Sequence, residues 1–318
     1  MSIEEQLNDL QITHRHTINQ MLDTSKEKVR AAVKQLGVIM KSAELSVELK
    51  IAFFTRVALK NLVACLGHPS DSVRETAIDV ADSAFSLPCD VSQHFEQFGH
   101  LLTQILARVD SIPFKEATEE VRVKICGLLL KLGKQSSSIL TCDFAKLIEA
   151  NRCLLEDKCP EVKRLACELV ICLAKGFPER IGIASKRLSP SLTSCANHQQ
   201  TKIRRVGLLA LRGMMVCPGS AGVLSEVLEK VRPLFEDKSE EIRADYLSFV
   251  SEVLCSLSFE ETKAHETELV LELLTPIGME DQAEPELVKR AQLGLASFVE
   301  RRNLMAEKYQ SGGNSMPE

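Results

Sequence analysis

Residues 154–178 read LLEDKCPEVKRLACELVICLAKGFP. Leu154 and Leu155 close one apolar run, and Glu156, Asp157, Lys158 and Cys159 form a short turn. Pro160 then stands where the first turn of a helix tolerates a missing N–H. From there Val162, Leu165, Ala166, Leu169, Cys172 and Leu173 fall on one face of a 3.6-residue period, until Gly176 and Pro178 stop the run. The stretch encodes the turn and second helix of a helical hairpin with one buried face.

The signature recurs: a turn-forming residue, a few polar residues, then Val or Ile followed by Arg or Lys opening a second helix. It appears at Val29-Arg30, Val73-Arg74, Val121-Arg122, Val162-Lys163, Ile203-Arg204, Ile242-Arg243 and Val288-Lys289, with the aliphatic positions 44, 48, 41, 41, 39 and 46 residues apart. HEAT repeats have periods of about 40 to 47 residues, whereas tetratricopeptide and ankyrin repeats have about 33 to 34. The sequence therefore predicts an all-α HEAT-repeat α-solenoid of about seven hairpins over residues 1–305, with no internal boundary. The composition of residues 306–318, ending SGGNSMPE, predicts a disordered tail. Within the array, Asn151 interrupts an apolar stripe. Pro190 predicts a kink or split in the first helix of repeat five, and repeat six shows the most regular spacing, at Leu224, Val227, Leu228, Val231, Leu234 and Phe235.

Bulk properties narrow the function. The 318-residue chain carries a formal net charge of −5, no Trp and only two Tyr, so as a whole it is not an electrostatic binder of nucleic acid. No apolar run reaches the roughly 18 residues of a membrane span, and the opening MSIEEQLNDLQ is polar and acidic, unlike a signal peptide. The expected location is the cytoplasm. The eleven cysteines include no C-x-x-C pair, and they read as reduced core residues.

No phosphate-binding glycine motif, zinc-ligand spacing or nucleophile elbow occurs. The iron-dependent hydroxylases built on similar hairpins need several His-Glu dipeptides, and only His265-Glu266 is present. Cys195 and His198 read as two turn residues. The chain is thus expected to be no enzyme, with no catalytic, cofactor-binding or metal-binding residues. The recurrent Arg or Lys after Val or Ile predicts a ladder in which each cation reaches acidic turn residues of a neighbouring repeat, with Arg204 a partly exposed member. Charge is segregated: residues 117–216 hold 17 Lys/Arg against 9 Asp/Glu, a balance of +8, and residues 217–288 hold 5 against 17, a balance of −12. Second helices of repeats three to five concentrate Lys124, Lys131, Lys163, Arg164, Lys175, Arg205 and Arg212. These form a candidate basic face for binding a protein partner, acidic where it docks.

Beyond the general pattern, CLLEDKCPEVKRLAC from Cys153, Phe177-Pro178-Glu179, HQQTKIRRVGLLAL (His198–Leu211) and LFEDKSEEIRADYLSFV (Leu234–Val250) resemble the N-terminal HEAT region of the HEAT-repeat axonemal dynein assembly factors. In that family the turn after His-Gln carries an aromatic before the Lys, where this chain has Thr201, and the chains continue into further repeats. The resemblance implies a cytoplasmic, non-enzymatic scaffold for preassembly of dynein arms of cilia or flagella, with dynein chains and chaperone machinery as partners. The fold equally accommodates a generic HEAT adaptor in trafficking or phosphatase regulation, or TOG-like tubulin binding. The TOG reading expects an aromatic in the first intra-repeat turn, where this chain has Asp23-Thr24-Ser25-Lys26.

Overall fold

The computed structural model describes residues 2–311 except 89–90, 136–137 and most of 267–284, where only residues 269, 270, 274 and 277 are described. Among the described residues every regular element is a helix. The chain forms two compact bodies, residues 1–169 and 170–318. The division falls inside one helix.

In the first body, α1 (Ile3–Gln20) and α2 (Lys26–Lys41) make hairpin one. Ser2 and Glu5 exchange hydrogen bonds in a capping box at the start of α1, and Ser25 caps α2 through the Lys28 N–H. α3 (Val47–Phe53) runs through a π turn, Phe54–Ala58, into α4 (Leu59–Leu66). Thr55 Oγ1 donates to the Ile51 carbonyl at the start of this widened turn, 2.8 Å away. α5 (Asp71–Phe85) completes hairpin two, α6 (Phe95–Leu106) and α7 (Glu119–Lys134) hairpin three, and α8 (Phe144–Leu155) begins hairpin four. Phe53, Phe54, Phe85 and Phe98 are buried, and the Phe98 ring lies 5.7 Å from Phe54 and 5.4 Å from Phe85. The aromatic residues of this body thus serve the core.

The helix shared by the two bodies is α9 (Pro160–Gly176), which buries Val162, Leu165, Ala166, Leu169 and Leu173. In the second body, α10 (Pro178–Ala196) and α11 (Thr201–Met215) form hairpin five. Their backbones meet so closely that a Cβ on Gly207 would lie 2.6 Å from the Ala196 nitrogen, and one on Gly182 1.8 Å from the Pro218 carbonyl oxygen. α12 (Leu224–Val231) and α13 (Glu240–Ser256) follow, then α14 (Phe259–Glu266) and α15 (Pro285–Ser311).

Several expectations change. α10 is not split at Pro190 but runs unbroken to Ala196. Pro190 and Lys186, the residue whose carbonyl loses its i+4 donor, both lie on the exposed side, where water can satisfy that carbonyl. The first helix of repeat six, read as the most regular, is only eight residues of α-helix flanked by 3₁₀ turns, Ala221–Val223 and Arg232–Glu236, because Pro233 cannot extend the α ladder. In repeat seven Leu287 and Ala291 are buried while Val288 is half-buried. The core position is therefore Leu287, one residue before the expected Val288, and the residue at the ladder position is Val288, not a cation. The helix of α15 extends to Ser311 through the first part of the expected tail, and residues 312–318 lie outside the described residues.

Candidate docking faces and the turn ladder

The ladder expected from the Val/Ile-Arg pairs forms at three rungs. Arg74 grips Glu116 with Nε–Oε2 and Nη2–Oε1 both at 2.7 Å. Arg122 grips Asp157 with Nε–Oδ2 at 2.6 Å and Nη2–Oδ1 at 3.1 Å, and Arg204 grips Asp237 at 2.7 and 2.9 Å. These forked pairs match planar guanidinium to planar carboxylate. The remaining Nη1 of each arginine donates to two carbonyls of its own turn: His68 and Pro69 for Arg74, Glu116 and Ala117 for Arg122, His198 and Gln199 for Arg204. One side chain thus closes its own turn and clamps the next repeat's.

Each rung carboxylate also caps its turn by accepting the N–H two residues on, from Thr118, Cys159 and Ser239 respectively. In two turns a histidine does this instead. Ser70 N–H donates to His68 Nδ1 at 3.0 Å, and Gln200 N–H to His198 Nδ1 at 3.1 Å. His68 follows the repeat whose ladder residue, Arg30, is exposed. His198 follows the one whose ladder residue is Lys163, which donates to the Leu155 carbonyl of its own hairpin at 2.7 Å. The signal was present in the sequence as an Asp, Glu or His six residues before each ladder position from the second repeat to the sixth.

Burial works to raise the Glu116 pKa, but the Arg74 hydrogen bonds, the Thr118 N–H and the charges of Arg74 and Arg108 hold its carboxyl below the ordinary value. Burial likewise opposes, and Arg204 and the Ser239 N–H overcome, in holding Asp237 low. Arg204 is more enclosed than expected, its side chain 15% exposed, because Asp237 holds it against the turn.

The seven cations of the candidate basic face are placed as follows. Lys124 lies 2.7 Å from Asp79 and 3.1 Å from Glu75, and Lys131 lies 2.8 Å from Asp82. Arg205 meets Glu241 at 2.7 Å and Asp245 at 3.0 Å, and Arg212 meets Glu252 at 3.2 Å. Arg164 is paired within its helix with Glu161 and Glu168. Lys163 is the one bound to the Leu155 carbonyl, and Lys175 is exposed, with no carboxylate partner among the described residues. The carboxylates on α5 precede residue 117 and those on α13 follow residue 216. Charge segregated along the sequence is thus rejoined sideways within each body, between α5 and α7 in the first and between α11 and α13 in the second.

Among the described residues no group of three or more His, Cys, Asp or Glu could hold a metal. His265 Nε2 is 2.8 Å from Ser225 Oγ. Cys195 is a buried residue of α10, not a turn residue, and His198 lies in the turn beyond it. Of the ten described cysteines seven are buried, and burial pushes the Cys65 and Cys217 thiols up to about 11. No helix among the described residues is long and apolar enough to cross a membrane.

Stacked hairpins with broad polar helix faces define a protein-binding scaffold of the armadillo/HEAT α-solenoid class. The chain belongs to the family described as dynein axonemal assembly factor 5-like, TPR repeats, whose profile matches residues 20–261. Its hairpin period is longer than the tetratricopeptide period that this description mentions. A human relative, dynein axonemal assembly factor 5, is 26% identical over 196 residues, which is 60% of this chain and 22% of the relative. The mouse protein of that name is 25% identical over 205 residues, 64% of this chain and 24% of its own. The chain thus spans about a quarter of the length of these relatives.

Solved structures share the fold at low identity. An engineered protein superposes with a TM-score of 0.65 at 14% identity, over 90% of this chain and 68% of its own. A computationally designed armadillo repeat protein for modular peptide recognition gives 0.55 at 15% identity, over 74% and 98%. Importin beta gives 0.55 at 12% identity, over 93% and 41%.

Proposed function

We propose that this chain is a non-enzymatic scaffold in the cytoplasmic preassembly of axonemal dynein arms, holding dynein chains and working beside chaperone machinery. The observation that carries the reading is the family match, which runs from the turn of hairpin one through hairpin six and includes all three ladder rungs. Partners dock on the second helices, at Lys124, Lys131, Lys163 and Arg164 in the first body and at Lys175, Arg205 and Arg212 in the second. Since most of these cations already face carboxylates, docking there uses a mixed-charge surface rather than a basic field.

Deleting the gene in a ciliated or flagellated cell tests the reading. Axonemes should be built but short of dynein arms in electron-microscopic cross-sections, with heavy chains left unassembled in the cytoplasm. Normal arms, in a cell with no longer relative of this family, would overturn it.

A further inference from the structure

Exposed cations also lie outside the second helices. On α10, Ile183 is 82% exposed, the most exposed large apolar side chain among the described residues. Lys186 and Arg187 stand three and four residues further on, on the same exposed face. Neither has a carboxylate partner among the described residues, in contrast with the paired cations of the second helices. Pro190, also exposed, brings no N–H to the Lys186 carbonyl, so the ordinary i+4 helix bond is missing beside these two cations. Glu179 is the one acid on this outer stripe and stands at the helix start, one turn before Ile183.

We infer that this outward face of α10 is a docking site for an acidic segment of a protein partner that covers Ile183 with an apolar side chain. The inference rests on the protein-binding reading of the fold and not on the dynein assignment. Unpaired cations attract an acidic segment without displacing intramolecular carboxylates, and an apolar anchor ringed by charge fixes its register. A nucleic acid fits less well, because the face offers no aromatic ring to stack on bases.

The test uses the purified full chain and a fluorescein-labelled helical peptide of Glu, Ala and Leu with its leucines along one face, followed by anisotropy. The peptide should bind saturably and lose affinity as salt is raised. Lys186→Glu/Arg187→Glu and, separately, Ile183→Asp should each weaken binding about tenfold or more, in line with the loss of two charge contacts or of a central anchor. Lys34→Glu/Lys41→Glu, which reverses two exposed cations of α2 and none of α10, should leave it within about twofold. All five substituted sites are surface positions, and circular dichroism should confirm unchanged helix content in each variant. Absence of saturable binding overturns the proposal, as does equal loss in the two double variants. So does a single-stranded oligonucleotide that binds α10 more tightly than the peptide. The dynein reading fails separately, on the axoneme count, whatever the peptide does.

Discussion

Arg122 and Arg152 present the same guanidinium to carboxylates in two different surroundings. The Arg122 side chain is 10% exposed and Asp157 fully enclosed, whereas Arg152 bridges Glu149 and Glu156 along the surface of α8. Removing Arg122 leaves a buried carboxylate with the Cys159 N–H but no counter-charge, so Arg122→Ala should cost about 3 to 5 kcal/mol. Arg152→Ala, losing solvent-screened pairs, should cost about 0 to 1 kcal/mol. Urea denaturation of the two variants measures the difference, and similar losses would mean that the rung is not enclosed. The rung also sets a pH dependence. Glu116 has its carboxyl held low in the folded state, so the unfolded chain binds more protons, and the stability Glu116 contributes is present above the ordinary value of 4.5 and lost as pH falls through the lower folded value. Glu116→Gln should therefore lower stability at neutral pH and flatten its decline as pH falls below the ordinary value of 4.5. An unchanged acid limb in the variant would show that Glu116 is not the group responsible.

Glycines in two helices should respond to alanine in opposite directions. Gly207 in α11 faces the backbone of Ala196 at a distance no Cβ tolerates, while Gly127 in α7 has nothing within 4 Å of where a Cβ would stand. Gly207→Ala should cost about 1 to 3 kcal/mol by forcing hairpin five apart, and Gly127→Ala should gain about 0.5 to 1 kcal/mol through helix propensity. Thermal melting of both decides it. This contrast shows where the sequence was readable. The apolar stripes and Pro160 at the start of α9 mark hairpin elements, because periodicity and first-turn chemistry are local, whereas the caps at Ser2 and Ser25 emerge only in the structure. Gly207 and Gly127 look alike in sequence, since what separates them is an atom of another helix. Pro190 and Pro233 differ likewise by surroundings: one sits on an exposed face that water can serve, the other where the α-helix gives way to a 3₁₀ turn. The ladder arginines were visible from their spacing, and the histidines at 68 and 198 share that spacing, but that a ring nitrogen caps the turn as a carboxylate does elsewhere is seen only in the turn geometry.

At the scale of the molecule, charge balance along the chain was a poor guide to the surface. A block of +8 followed by a block of −12 suggests opposed fields, yet Arg205 and Arg212 of the first block meet Glu241, Asp245 and Glu252 of the second. Sequence windows run along the chain, whereas the lateral neighbours of a second helix lie about one repeat away, so acids and bases that cancel in space separate in the count. The same one-repeat reach governs cooperativity. In an array of this kind stability is a sum of repeat terms and nearest-neighbour terms, so a broken rung is felt first by the two repeats it joins. Arg122→Ala should raise amide hydrogen exchange chiefly in α7, α8 and the start of α9, and Arg204→Ala chiefly in α11, α12 and the start of α13. Both should be read by mass spectrometry at a denaturant concentration well below the midpoint. If either variant instead loosens every helix by the same amount, the rungs act on a single cooperative unit and the nearest-neighbour account of the ladder fails.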